Sequence, residues 1–157
     1  MTADLRITWT LDGHGWADCV VEAPQTRGEL TSSYITGTPE DLLTAVARLV
    51  AGETETRAQF ESEPTAYRWV FYREDDDVWI RVLELPNGSD HDNRGTEVWS
   101  GQTDVDQLAR AMIRCFDEVA RTYGESGYRG KWGEHFPRAE LKALRRLWHS
   151  RERPEDV

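Results

Sequence analysis

Four histidines are the first residues to test for chemistry, because imidazole is the side chain that titrates near neutrality. His14 falls in a turn, His91 in a polar loop, and His135 and His149 near the two ends of a C-terminal helical pattern. No pair has HxH, HxxxH or HExxH spacing, so a zinc site would need ligands gathered by folding alone. Asp90-His91-Asp92-Asn93 offers oxygen ligands but lacks the glycine and final glutamate of a calcium loop; long turns use the same residues. Asp75-Asp76-Asp77 sits at a hairpin tip, where adjacent carboxylates point different ways and can meet a basic partner or water. The phosphate-cradling GxGxxG and GxxxxGKS/T patterns and the GxSxG nucleophile elbow are all absent. The chain thus names no catalytic residue, no metal ligands and no cofactor.

Aromatic spacing is more informative. A two- or four-residue turn within Glu74-Asp75-Asp76-Asp77 pairs Arg73 with Val78, Tyr72 with Trp79, Phe71 with Ile80 and Val70 with Arg81. Trp69, Phe71, Val78, Ile80 and Val82 then make a core face. The other face carries Arg68, Val70, Tyr72, Trp79, Arg81 and Leu83. Tyr, Trp and Arg together are the composition of a protein-binding hot spot, with ordinary cross-strand packing under another element as the competing account. On the binding account Tyr72, Trp79 and Arg81 are the contact residues, and Asp75, Asp76 and Asp77 form a charged rim. A second cluster, Tyr123, Tyr128, Trp132 and Phe136, is interleaved with Gly124, Gly127, Gly130 and Gly133. It is expected to pack its rings onto the domain, or alternatively to line a small-molecule pocket.

The elements that position these residues can be read from periodicity. Leu5, Ile7, Trp9 and Leu11 alternate with polar residues, and Ala17, Cys19, Val21 and Ala23 share a face across Asp12-Gly13-His14-Gly15, giving a hairpin. A weaker strand is expected over 29–36 after a loop at 24–28, and a polar link over 53–64. The hairpin of 67–73 and 78–85, a polar loop at 86–95 and a strand at 96–101 follow. Helices are expected from Thr38 to Gly52, from Asp104 to Tyr123 with Gly124 as the stop, and from Arg138 to Ser150, with 151–157 frayed. Thr38-x-x-Asp41-x-Leu43 recurs as Thr103-x-x-Asp106-x-Leu108, which suggests two strand-then-helix halves, although convergent capping explains the echo equally well. The expected fold is one α+β domain, a mostly antiparallel sheet of five or six strands with two or three helices on one face.

Composition narrows the partners. At 157 residues the chain fits a single domain that buries roughly 70% of its unfolded surface and needs no staple. Two cysteines, neither in a CxxC, read as reduced core thiols, though a bridge between them is also open. No stretch approaches the ~20 apolar residues of a membrane span and no signal peptide is visible, so a cytoplasmic protein is expected. The net charge of -10 divides into -13 over residues 1–128 and +3 over 129–157. An acidic body argues against nucleic acid and anionic membranes and suits a basic protein partner.

Thr38-Pro39-Glu40-Asp41-Leu42-Leu43, Phe60-Glu61-Ser62-Glu63-Pro64 and Tyr67-Arg68-Trp69 together resemble uncharacterised small bacterial α+β domains of the kind suspected to act as immunity proteins beside polymorphic toxins. The resemblance spans roughly residues 33–85 and implies a non-enzymatic, protein-binding role with no catalytic residues. The alternatives are a small-molecule-binding or sensory domain built on the C-terminal aromatics, and a small hydrolase or transferase whose site assembles only in three dimensions.

Overall fold

A computed structural model describes residues 4–151. The element order is β1 (Arg6–Asp12), β2 (Trp16–Ala23), β3 (Thr26–Ser33), α1 (Thr38–Val50), β4 (Glu55–Glu61), β5 (Ala66–Glu74), β6 (Asp77–Leu85), β7 (Thr96–Asp104), α2 (Val105–Trp132) and α3 (Arg138–Ser150). The strands form two antiparallel meanders, β1-β2-β3 and β4-β5-β6-β7, not the single sheet of five or six strands expected. The α+β class and the antiparallel pairing agree with the sequence; the strand count and the division into two sheets correct it.

Two local causes account for the difference. Residues 55–61 alternate Thr56, Ala58 and Phe60 inward against Glu55, Arg57, Gln59 and Glu61 outward, so the expected polar link is a strand. Only Phe60 among its inward residues is large, which hid the period. β3 starts three residues earlier than expected because Gly28 must sit inside the sheet. A Cβ there would lie 2.6 Å from the Cβ of Trp99 on β7, so glycine lets the two sheets close on each other.

Inward side chains of both sheets meet all three helices in one core, with Trp9, Phe60, Trp69, Phe116 and Trp132 in ring contact through it. Leu108, Met112, Cys115 and Val119 of α2 are all buried there. The α2 helix breaks at Gly124 (φ 69°, ψ 163°), where the sequence placed its stop, and resumes as a second helical stretch through Trp132. The left-handed φ explains the glycine, since an L side chain is strained there.

The two Thr-x-x-Asp segments play different parts. Gly37 is the N-cap of α1 and makes no side-chain cap, while the Thr38 hydroxyl is buried and accepts from the Ser32 hydroxyl at 2.9 Å. On α2 the N-cap is Asp104, whose carboxylate accepts from the Gln107 amide at 2.8 Å, and Thr103 remains in the strand. Thr38, the first residue of the expected helix, therefore does not cap α1: its hydroxyl is committed to the β3 end. Arg151, expected to fray, has a side chain only 12% exposed and is ion-paired to Asp76 and Asp106; residues 152–157 lie outside the described ones.

Candidate functional site

The β5-β6 hairpin has the register read from the sequence, with Arg73 opposite Val78, Tyr72 opposite Trp79, Phe71 opposite Ile80 and Val70 opposite Arg81. Its turn is two residues, Asp75 and Asp76, with Glu74 pairing Asp77. Pairing with β4 and β7 sets the outer face of the sheet in rows. Glu55, Tyr72, Trp79 and Gln102 form one row; Arg57, Val70, Arg81 and Ser100 the next; Gln59, Arg68, Leu83 and Glu97 the third.

That face is covered at one end and open at the other. The loop 86–95 folds back over the third row, held mainly by Arg68. Its guanidinium donates to the carbonyls of Gly88 (3.0 Å) and Asp90 (2.9 Å), to the Asp92 carboxylate (2.8 Å) and to Gln59 (2.9 Å). Arg57 adds a 2.8 Å ion pair to Asp92. Burial would raise the Asp92 pKa, but the Arg68 and Arg57 guanidiniums outweigh it and hold the carboxyl below the usual carboxylate range. Under this cover Leu83 is buried and Val70 nearly so. With Arg68 itself only 13% exposed, three of the six outer-face residues are thus shielded.

At the open end Tyr72 is 49% and Trp79 38% exposed, their rings 6.4 Å apart and tilted by 55°. Arg81 is exposed beside them and ion-paired to Glu97 at 3.0 Å. Phe71, Val78 and Ile80, buried on the opposite side, fix the strands that carry these rings. The three tip aspartates are not equivalent. Asp76 is a structural residue: its carboxylate pairs with Arg73 (3.2 Å) and Arg151 (3.4 Å), and its carbonyl accepts the Val105 amide (2.9 Å). Glu74, Asp75 and Asp77 are exposed and join no ion pair among the described residues. Of the three aspartates expected as a rim, Asp76 is thus paired, while Asp75 and Asp77 join no ion pair among the described residues, and exposed Glu74 lies beside them.

The second aromatic cluster is packed inward. Tyr128, Trp132 and Phe136 are buried, with Tyr128 5.4 Å from Phe136 edge-to-face and Trp132 5.3 Å from Trp9. Tyr123 is half-buried, and its hydroxyl accepts the Leu11 amide at 3.0 Å.

All four histidines are exposed, and no three His, Cys, Asp or Glu side chains cluster for a metal among the described residues. Cys19 and Cys115 are free and buried, and burial pushes both thiols far up, with Cys115 pushed further by Cys19. No helix among the described residues is long and apolar enough to cross a membrane.

Sequence reading missed a second exposed apolar group: Trp16 (42%), Tyr34 (49%) and Ile35 (59%). Trp16 was visible by parity, since Ala17 and Cys19 take the inner face. Tyr34 and Ile35 were not, because they follow β3 and reach the surface through loop geometry. Tyr34 packs on Gly15 and Gly133, and its amide donates to the Gly15 carbonyl at 3.0 Å.

Fold and site together define a small α+β domain with an exposed aromatic patch on one sheet. No family model and no curated protein matches the chain. Among solved structures it is similar to a chain of the "CdiA-CT/CdiI toxin and immunity complex from Enterobacter cloacae", with a TM-score of 0.46 and 13% identity; the match covers 74% of this chain and 97% of that one.

Proposed function

We propose that this domain is a non-enzymatic protein-binding module whose contact surface is the open end of the four-stranded sheet, centred on Tyr72 and Trp79 and facing a basic partner. The observation that carries the reading is the pair of large rings left exposed at one end of a sheet face whose other end is covered by a latched loop. Rigid aromatics lose little entropy on contact and dominate binding energy where a partner excludes water. The carboxylates of Glu74, Asp75 and Asp77, unpaired among the described residues, favour a basic partner and would act chiefly on the association rate. The immunity-type assignment rests on the sequence resemblance over residues 33–85.

Trp79→Ala tests this reading. Its side chain contributes to the surface and not to the core, so the variant should melt within a few degrees of wild type. Its affinity for a basic protein partner should fall by about 2 kcal/mol or more. Asp75→Asn with Asp77→Asn should slow association and flatten its salt dependence while sparing stability. A Trp79→Ala protein that loses several kcal/mol of stability would sink the binding-face reading, because that is the signature of a core residue.

A further inference from the structure

A groove of about 340 Å³ runs between β1 and α2, with no lining residue from the β5-β6 hairpin. One wall is the free edge of the three-stranded sheet, since among the described residues β1 pairs with β2 alone. The other is the α2 face carrying Arg114, Glu118 and Thr122, and the floor includes the buried Ala111, Cys115 and Val119.

The backbone of β1 settles which groups face the groove. The Leu11 amide donates to the Tyr123 hydroxyl on α2 and hence points away from β2. Backbone groups alternate direction along a strand, so those of Ile7 and Trp9 point the same way. Neither residue's edge groups find a hydrogen-bond partner among the described residues. The side chains of Ile7 and Trp9 point the other way, into the core, so both residues are only 3% and 4% exposed and their edge backbone groups are what they present to the groove. Unpaired amides and carbonyls along a strand edge are a template for another strand, and an extended chain laid in the slot is the partner that satisfies them in sequence.

Charge indicates what that chain carries. In a protein of net charge -10, Arg6 and Arg114 line the groove, exposed and without an ion pair among the described residues. Most of the other arginines that the structure describes are already matched with carboxylates, Arg57, Arg68, Arg81 and Arg145 among them. The small side chains of Ala111 and Cys115 leave room for an apolar residue between.

We infer that the β1-α2 groove is a second binding site, which takes an extended segment of a partner protein as an added strand, with apolar residues toward Ala111 and Cys115 and carboxylates toward Arg6 and Arg114. Its chemistry is opposite to that of the Tyr72–Trp79 face, so the two sites are separable.

The probe is the capped peptide Ac-VDVEV-NH2, titrated into the ¹⁵N-labelled protein, with Ac-VKVKV-NH2 and an N-methylated version of the acidic peptide as controls. The expected result is saturable shifts of the Ile7 and Trp9 amides with the acidic peptide. Binding should be at least tenfold weaker for the lysine peptide, for the N-methylated peptide and for the Arg114→Glu protein. Arg114 is an exposed helix residue, so the variant should keep its fold, and its unchanged amide spectrum elsewhere checks that. Three results would overturn the inference: no shift at Ile7 and Trp9 with millimolar acidic peptide, equal binding of the lysine peptide, or shifts confined to the Tyr72–Trp79 face.

Discussion

Tyr72 and Tyr128 are the same side chain with opposite parts, and the difference lies in what their neighbours need. Tyr72 alternates with Phe71 on a strand whose inner face is already filled by Trp69, Phe71 and Ile80, so its ring has only the outer surface to occupy. Tyr128 lies past the Gly124 break, where α2 turns its aromatics back onto Trp9 and Phe136, and its hydroxyl is buried without a partner. Strand parity was legible in the sequence and named Tyr72 and Trp79 correctly as outer residues. The packing of Tyr128 and Trp132 depends on a backbone break of particular geometry, and composition alone left pocket and core both open. The same parity argument, applied to helical spacing, places Leu108 in the core. It is wholly buried, and Leu108→Ala should cost about 2–5 kcal/mol, as truncations of buried leucines do. Chemical denaturation measures it; a loss below about 0.5 kcal/mol would show that this face of α2 is not core. Burial likewise makes the two thiols inert, so native Cys19 and Cys115 should react with thiol reagents only as fast as the protein opens.

At the scale of elements, the loop 86–95 decides how much of the sheet face is free. Polar, turn-rich composition identified it as a loop, but nothing in those residues says that it folds back. That follows from Arg68, a residue 13% exposed and eighteen or more positions earlier, which gathers the loop carbonyls and Asp92. Asp92→Asn removes the charge that both Arg68 and Arg57 face, and should cost about 1 kcal/mol at neutral pH after allowance for partial solvent screening. The pH dependence has a definite sign. A carboxyl held below its ordinary range contributes stability that is fully present above about pH 4, the unfolded value, and is lost as pH falls through the lower folded value. Thermal melts should therefore show the gap between wild type and Asp92→Asn closing as pH falls from 5 toward 2. A gap that stays constant would mean that the charge is not what holds the loop. A gain of exposed apolar surface in the variant, from Leu83 uncovered, would confirm that this loop bounds the binding face.

Over the whole molecule, the charge asymmetry read from the sequence has a structural counterpart. The basic C-terminal region pairs back onto acidic residues of the body: Arg138 with Glu125, Arg145 with Asp117, and Arg151 with Asp76 and Asp106. The last of these joins distant parts of the chain. Asp76 lies in the β5-β6 turn, and its carbonyl holds the first amide of α2. Its carboxylate meets Arg73, which donates to the Leu49 and Val50 carbonyls at the end of α1. Arg151 closes the set from the end of α3, donating to Asp106 at 3.0 Å, where the Trp148 indole also donates at 3.1 Å. One aspartate, which the sequence ranked with its two neighbours as a rim charge, thus ties three helix ends to a hairpin tip. The consequence is a split within the triad. Asp75→Asn and Asp77→Asn should leave the melting temperature nearly unchanged, while Asp76→Ala should lower stability by about 1 kcal/mol, its pairs being partly exposed. Arg151→Ala, which removes a shielded guanidinium from Asp106, should cost about 1–2 kcal/mol. A double-mutant cycle of Arg151→Ala with Asp106→Ala isolates their pair from the packing of the arginine stem, and its coupling should exceed about 0.5 kcal/mol. A coupling near zero would mean that the C-terminal helix is held by Leu141 and Leu144 in the core alone, with its charges only solvated.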